Sequence, residues 1–191
     1  MYVNKGDDID IKEIIKTVGL PCFVKPNIAG SSFGISRVQT AEMLPNALLE
    51  AYIEDTEIIF ESELVGTEVS VGAYKDKGEI QVLNPTEIVS ENDFFDYEAK
   101  YLGKSQEITP ARISDKDKKA VQQVTKKIYK LLNMKGVTRS DFIIQNGVPY
   151  FIEINATPGL SKESIIPKQL DDAQISLTAF FTTLLIEALE N

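Results

Sequence analysis

Residues 137–159 read VTRSDFIIQNGVPYFIEINATPG. Two apolar runs flank Asn146-Gly147, a dipeptide suited to a tight hairpin turn. Strand side chains alternate between faces. Arg139, Asp141 and Ile143 therefore share one face, and on the next strand Phe151, Glu153 and Asn155 share another. Whether the two sets meet depends on turn length, because a one-residue slip flips a whole strand. A two-residue turn puts Asp141 and Glu153 on opposite faces. A three-residue loop with Gly147 left-handed puts them on the same face. We expect the three-residue loop, because the alternative buries two lone carboxylates against opposite layers, which is costly.

Together, Asp141, Glu153 and Asn155 form an oxygen set suited to Mg²⁺, which often joins one or two carboxylates to substrate phosphates. Arg139 on the same surface is placed to hold a developing anion while metal neutralises phosphate charge. The plain alternative is a solvated strand face with a surface Arg–Asp pair. Ile152 and Ile154 count against it, since so apolar a stretch does not suit an edge facing bulk water. The turn Ala156-Thr157-Pro158-Gly159 can aim backbone amides at a ligand.

The chain has 191 residues, 43% of them hydrophobic, enough for one substantial core or two small lobes. Twenty basic against 29 acidic residues give a net charge of -9. That argues against a general affinity for nucleic acid. Cys22 is the single cysteine, so a reducing, cytoplasmic setting is expected. There is no histidine, so proton transfer and metal binding fall to carboxylates, amides, lysine, tyrosine or water. The apolar stretch 180–189 is too short and mixed for a membrane span, and the opening residues do not read as a signal peptide.

Ile11, Ile14, Ile15 and Val18 fall at helical spacing and Gly19 stops the run. This helix has nothing before it to pack on. Residues 21–26 read as a strand with 35–38 as its hairpin partner. Thr40 is expected to cap a helix running to Tyr52, its first turns disturbed by Pro45. Residues 57–63, 67–74 and 79–88 read as strands. Residues 89–112 show no period and read as one long functional loop. Ser114 opens an amphipathic helix bearing Val121, Val124, Ile128, Leu131 and Leu132. Residues 156–172 read as a loop with one helical turn, and 174–189 as an apolar helix. The class is α+β, in two lobes of antiparallel sheet with helices, 1–65 and 66–191, the second carrying a mobile loop at 89–105.

Three segments, KPNIAGSSFGISRV, FFDYEAKYLG and RSDF…YFIEINATPGLSKESIIP, occur in the order that resembles the D-alanine–D-alanine ligase branch of the ATP-grasp enzymes. GSSxG alone is weak evidence. Arg-x-Asp followed by Glu-x-Asn-x-x-Pro-Gly is strong evidence for this branch, and DYEAKY makes it stronger. The resemblance implies two lobes enclosing ATP. It implies Lys25 on the α/β-phosphates, and Glu61, Leu64 and Glu68 around adenine and ribose, with Glu68 the ribose partner. Asp141, Glu153 and Asn155 match the ligands of two Mg²⁺ ions, with Mn²⁺ a possible substitute. Ser31 and Ser32 match a loop closing over the γ-phosphate and first D-alanine. Lys100 and Tyr101 match a mobile loop over the reacting centre. Arg139, Gly159 and Ser164 match groups around the acyl phosphate and second D-alanine.

The implied reaction makes a D-alanyl phosphate from ATP and D-alanine. The amine of a second D-alanine then attacks it, for peptidoglycan precursor synthesis. Tyr101 favours an amine acceptor, with D-serine or another carboxylate–amine pair as the alternative. Members of the family carry a further N-terminal domain, which supplies a glutamate and another ATP-binding lysine, and are often homodimers. On that basis the chain is expected to be a C-terminal fragment that binds ATP weakly without ligating, its 30–34 loop mobile.

Overall fold

The structure, a computed structural model, describes residues 1–29, 33–90 and 105–190. The described residues fall into two compact units, 1–64 and 65–90 with 105–190. Both are antiparallel sheets with helices, an α+β architecture.

The first unit is a four-stranded sheet in the order β1-β4-β2-β3. Its elements run β1 (Tyr2–Asn4), α1 (Ile11–Val18), β2 (Cys22–Pro26), β3 (Ser36–Val38), a 3-10 turn (Ala41–Met43), α2 (Leu44–Glu54) and β4 (Glu57–Ser62). Helix α1 starts where Asp10 accepts the Lys12 amide at 2.8 Å. It ends at Gly19, whose φ of 77° is open to glycine at little cost. Its apolar stripe lays Ile14 and Val18 into a core with Val24, Val38, Leu44, Ile58 and Phe60.

Three expectations are corrected in this unit. The first helix does have a partner before it: β1 pairs with β4 and buries Val3. Three residues are too few to show a period in sequence. Thr40 makes no side-chain cap, and Pro45 does not disturb α2 because it sits in the first turn, where a missing N–H leaves nothing unsatisfied.

The second unit holds β5 (Thr67–Asp76), β6 (Glu79–Val82), β7 (Thr86–Ser90), β8 (Ser105–Ile108), α3 (Asp115–Leu131), β9 (Thr138–Gln145), β10 (Val148–Asn155), α4 (Ile165–Asp172) and α5 (Leu177–Glu190). The sheet order is β10-β9-β5-β7-β8, with β6 also paired to β5. One face carries Val69, Val71, Phe142 and Ile144 against Val121 of α3. The other carries Tyr74 and Leu83 against Ile166 and Leu170 of α4 and Phe180 of α5. The candidate site lies on the part of this second face that carries Ser70 and Asp141.

The strand expected over 79–88 is two strands, β6 and β7. Pro85, with no N–H to give, separates them, and the two short strands pair with successive parts of β5. Ser70 is the last residue of β5 paired with β7, opposite Thr86, and the gap leaves the Gly72 amide without a strand partner. Gln169 of α4, fully buried, bridges the break: its Oε1 accepts from Gly72 N at 3.0 Å and its Nε2 adds a bond to Ser70 O at 2.9 Å. The same Nε2 reaches Thr86 Oγ1 at 3.1 Å. Gly72 is required here, since a Cβ would lie 2.6 Å from Gln169 Oε1 and 2.7 Å from Ile166 Cδ1.

The long loop expected over 89–112 contains β8, paired with β7. The expected single turn in 156–172 is the two-turn α4, with Pro167 again tolerated in the first turn. Leu131 and Leu132 do not join the α3 stripe: they are exposed, and packing passes to Tyr129. The Tyr129 hydroxyl donates to Gly136 O at 2.6 Å.

Burial, and then the charge of Glu187, push the Tyr129 phenol up to about 12. The fold therefore favours the neutral phenol. That stability is complete below the unfolded value near 10 and is lost as pH rises through about 12. Tyr129→Phe should cost about 1 kcal/mol at neutral pH through the lost hydrogen bond. It should also remove this part of the alkaline limb. Urea unfolding of both proteins at pH 8 and pH 11 checks it; equal alkaline slopes would count against the assignment.

Candidate functional site

The hairpin β9–β10 turns differently from expectation. Gln145 pairs with Val148, so the loop is the two-residue turn Asn146-Gly147, with φ of 53° and 76° at its centre. That register alone would set Asp141 and Glu153 on opposite faces. A β-bulge between Phe151 and Glu153 then shifts the register by one, and Glu153 stands directly opposite Asp141. Asn155 stands opposite Arg139. The extra residue inverts the alternation, so Phe151 does not share a face with Glu153. It pairs with Phe142 on the other face, ring centroids 5.8 Å apart. A bulge thus lets one strand send an aromatic ring towards the core and a carboxylate to the opposite surface two residues later. β10 is also an edge strand, with Val148, Tyr150 and Phe151 exposed, against the reading that so apolar a stretch avoids the edge.

Across the sheet the register builds two adjacent rows. One runs Glu153, Asp141, Ser70 and Thr86, and the next runs Asn155, Arg139 and Gly72. Arg139 grips Asp141 with two parallel bonds, Nε to Oδ1 at 3.0 Å and Nη2 to Oδ2 at 2.9 Å. The Ser70 hydroxyl also donates to Asp141 Oδ1. Burial works against the Arg139 charge. Asp141 first, then Glu153 and Glu107, outweigh it and hold the guanidinium above its usual range. It is therefore a fixed cation at any working pH. Glu153 is exposed and Asn155 half-buried, its Oδ1 accepting from Thr157 N at 3.2 Å.

Among the described residues no group of three or more acidic, histidine or cysteine side chains converges as a closed metal cage. Two carboxylates and an amide, in adjacent rows on one face and reaching solvent at Glu153, fit a different kind of site. They suit a hard dication that takes its remaining ligands from phosphate and water.

Glu68 lies on the same face, one row from Ser70, between Ile143 and Ile88. Beyond β10, Gly159 and Ser164 are brought together: a Cβ on Gly159 would lie 2.8 Å from Ser164 Oγ. Ser164 precedes α4, and its hydroxyl bonds Ser161 Oγ at 2.8 Å.

In the first unit, Lys25 of β2 and Glu61 of β4 form an ion pair, Nζ to Oε2 at 2.7 Å. The lysine side chain is 19% exposed, so it is not a free surface lysine. Leu64 is half-buried at the end of this unit. Arg37 and Glu63 form a neighbouring pair at 2.6 Å that sequence reading passed over. Ser31, Ser32, Lys100 and Tyr101 lie outside the described residues, as does most of the 30–34 loop. Ser70 and Gln169 were also passed over. Nothing in a strand sequence marks Ser70 as touching a carboxylate four strands later in the chain order. Gln169 shows only as a polar position among apolar ones.

A family model described as the D-ala D-ala ligase C-terminus matches residues 3–186. The chain is 62% identical over 181 residues to the D-alanine--D-alanine ligase of Flavobacterium johnsoniae, covering 95% of this chain and 56% of that protein. Among solved structures, the D-alanine--D-alanine ligase of Bacillus anthracis superimposes with a TM-score of 0.82 at 27% identity, covering 100% of this chain and 60% of that one. A D-Ala:D-Ser ligase from Enterococcus faecalis gives a TM-score of 0.82 at 34% identity, covering 92% and 51%. The chain thus spans a little over half the length of these relatives. With the carboxylate row, the Arg139 fork and this match over nearly its whole length, the chain belongs to the D-Ala–D-Ala ligase C-terminal family, an ATP-grasp fold.

Proposed function

We propose that this chain carries the nucleotide- and metal-binding residues of an ATP-dependent D-alanine–D-alanine ligase. The observation that carries the reading is the row Glu153–Asp141 beside Asn155 and Arg139 on one sheet face. In this reading Lys25 holds the α/β-phosphates, its charge neutralised by Glu61 until nucleotide arrives. Glu61 and Leu64 are assigned to the adenine and ribose side, and Glu68 to the ribose. Asp141, Glu153 and Asn155 hold the metal. Magnesium or manganese, when bound, supplies charge neutralisation of the transferring phosphoryl group.

Arg139 has five N–H donors and spends two on Asp141. The others are available to an oxyanion on the acyl phosphate and on the tetrahedral centre that follows. The bidentate grip keeps the guanidinium plane fixed, so little reorganises as charge develops. The bare Gly159 leaves room for Ser164 Oγ, which with the turn amides would meet the second D-alanine. Ser31, Ser32, Lys100 and Tyr101 are assigned to closure over the reacting groups, which protects an acyl phosphate from water. A cytoplasmic location suits this substrate, and among the described residues no single helix is long and apolar enough to cross a membrane.

Calorimetric titration of ADP into the chain, with and without Mg²⁺, tests the site. Binding that depends on the metal is expected, and binding indifferent to it would sink the reading. Phosphate release from ATP by the intact gene product, with D-alanine, D-serine, D-lactate and L-alanine in parallel, tests the substrate. D-Alanine should dominate. A D-serine acceptor is the second reading, favoured by the likeness to a D-Ala:D-Ser ligase, and activity with L-alanine alone would overturn both.

A further inference from the structure

Asp141 is held from two sides, and the two sides are not equivalent. Its Oδ1 accepts from Arg139 Nε at 3.0 Å and also from the Ser70 hydroxyl. Its Oδ2 accepts from Arg139 Nη2 at 2.9 Å. A carboxylate oxygen offers about two lone-pair sites. Oδ1 is therefore filled, and Oδ2 keeps one site open. Ser70 itself has little freedom. It is 3% exposed, its backbone is registered against Asp141, and its carbonyl accepts from Gln169 Nε2 at 2.9 Å.

We infer that Ser70 is a positioning residue, which closes Oδ1 of Asp141 and leaves Oδ2 as the single oxygen offered to a bound dication. The inference rests on the reading of Asp141 as a metal ligand. A one-oxygen carboxylate contact suits Mg²⁺, which demands near-octahedral geometry. Ca²⁺ accepts both oxygens of a carboxylate and a looser shell. The buried hydroxyl thus biases the site towards the smaller ion, and Gln169 supports it by fixing the strand from which it projects.

The test compares the unaltered chain, Ser70→Ala and Ser70→Thr. ADP is titrated calorimetrically into each in saturating Mg²⁺ or saturating Ca²⁺, with thermal unfolding midpoints recorded alongside. Ser70→Ala should weaken Mg²⁺-supported ADP binding about 10- to 100-fold, the usual scale for removing a group that orients a metal ligand. Ca²⁺-supported binding should fall less, so the Mg²⁺/Ca²⁺ preference narrows. Ser70→Thr keeps the hydroxyl and should restore the preference. A general loss of stability would lower both affinities together and leave their ratio alone. If the unaltered chain prefers Mg²⁺ and Ser70→Ala keeps the same ratio, this inference is wrong while the metal-site reading stands. If the unaltered chain binds ADP equally with and without a dication, both fail.

Discussion

Asp141→Ala should abolish Mg²⁺-dependent ADP binding and, separately, destabilise the second unit by about 3 kcal/mol. The two losses have different origins. Binding fails because the carboxylate at the centre of the row is gone. Stability falls because Arg139, with a side chain only 22% exposed, is left beside Gly72 and Asn155 without its bidentate partner. The cost is that of an orphaned, partly buried cation. Asp141→Asn separates the effects, since the amide keeps the shape and one acceptor oxygen but not the charge. Its stability loss should be smaller and its binding loss nearly complete. Glu153→Ala gives the cleanest contrast. Glu153 is exposed, so its removal should change stability by less than about 0.5 kcal/mol while still abolishing metal-dependent binding. Calorimetry with ADP and urea unfolding read both quantities. Mg²⁺-dependent binding unchanged in Asp141→Ala and Glu153→Ala would return the pair to an ordinary surface contact.

The second large effect is expected at a residue that touches no substrate. Gln169→Ala removes the side chain that bridges the break in the β5 ladder, leaving Gly72 N buried and unpaired, Ser70 O one hydrogen bond short and Thr86 Oγ1 without this donor. Each orphaned group costs about 1–3 kcal/mol, so a total of about 3–5 kcal/mol is expected in urea unfolding. Gln169→Glu refines the test. A carboxylate still accepts from Gly72 N but turns a lone pair on the Ser70 carbonyl. Burial raises the pKa of such a group. A group protonated more readily in the fold contributes stability at low pH that is lost as pH rises. The variant should therefore be closest to the unaltered chain in mild acid and fall away towards neutrality. A loss under about 1 kcal/mol for Gln169→Ala would mean that water fills the gap, and that the glutamine is not what holds β5 there.

Much of this molecule is legible in its residues because short-range physics acts on short stretches. The α1 helix follows from the spacing of its isoleucines, an aspartate cap and a glycine stop. The start of α3 follows from Ser114, whose hydroxyl accepts from the Asp117 amide at 3.1 Å. The Arg-x-Asp and Glu-x-Asn spacings bring the carboxylates to notice. Reading failed where pairing partners lie far off. β1 and β8 are too short to carry a period, and each exists because a neighbouring strand offers it a ladder. The split between β6 and β7 follows from Pro85, but the glutamine that repairs it comes from α4, some 80 residues later.

By itself the sequence determined the class, the two antiparallel sheets, the family and the residue types available for chemistry. Alternation along a strand, capping and charge are local quantities that it carries in full. Only the tertiary structure decided which of those residues meet. The turn at Asn146-Gly147 proved to have two residues, which alone would have parted Asp141 from Glu153. One extra residue in β10 reunited them. Whether a strand bulges depends on what both of its faces must satisfy at once: Phe151 against Phe142 on one side and Glu153 against Asp141 on the other. That balance is struck across strands, and no stretch of a single strand contains it.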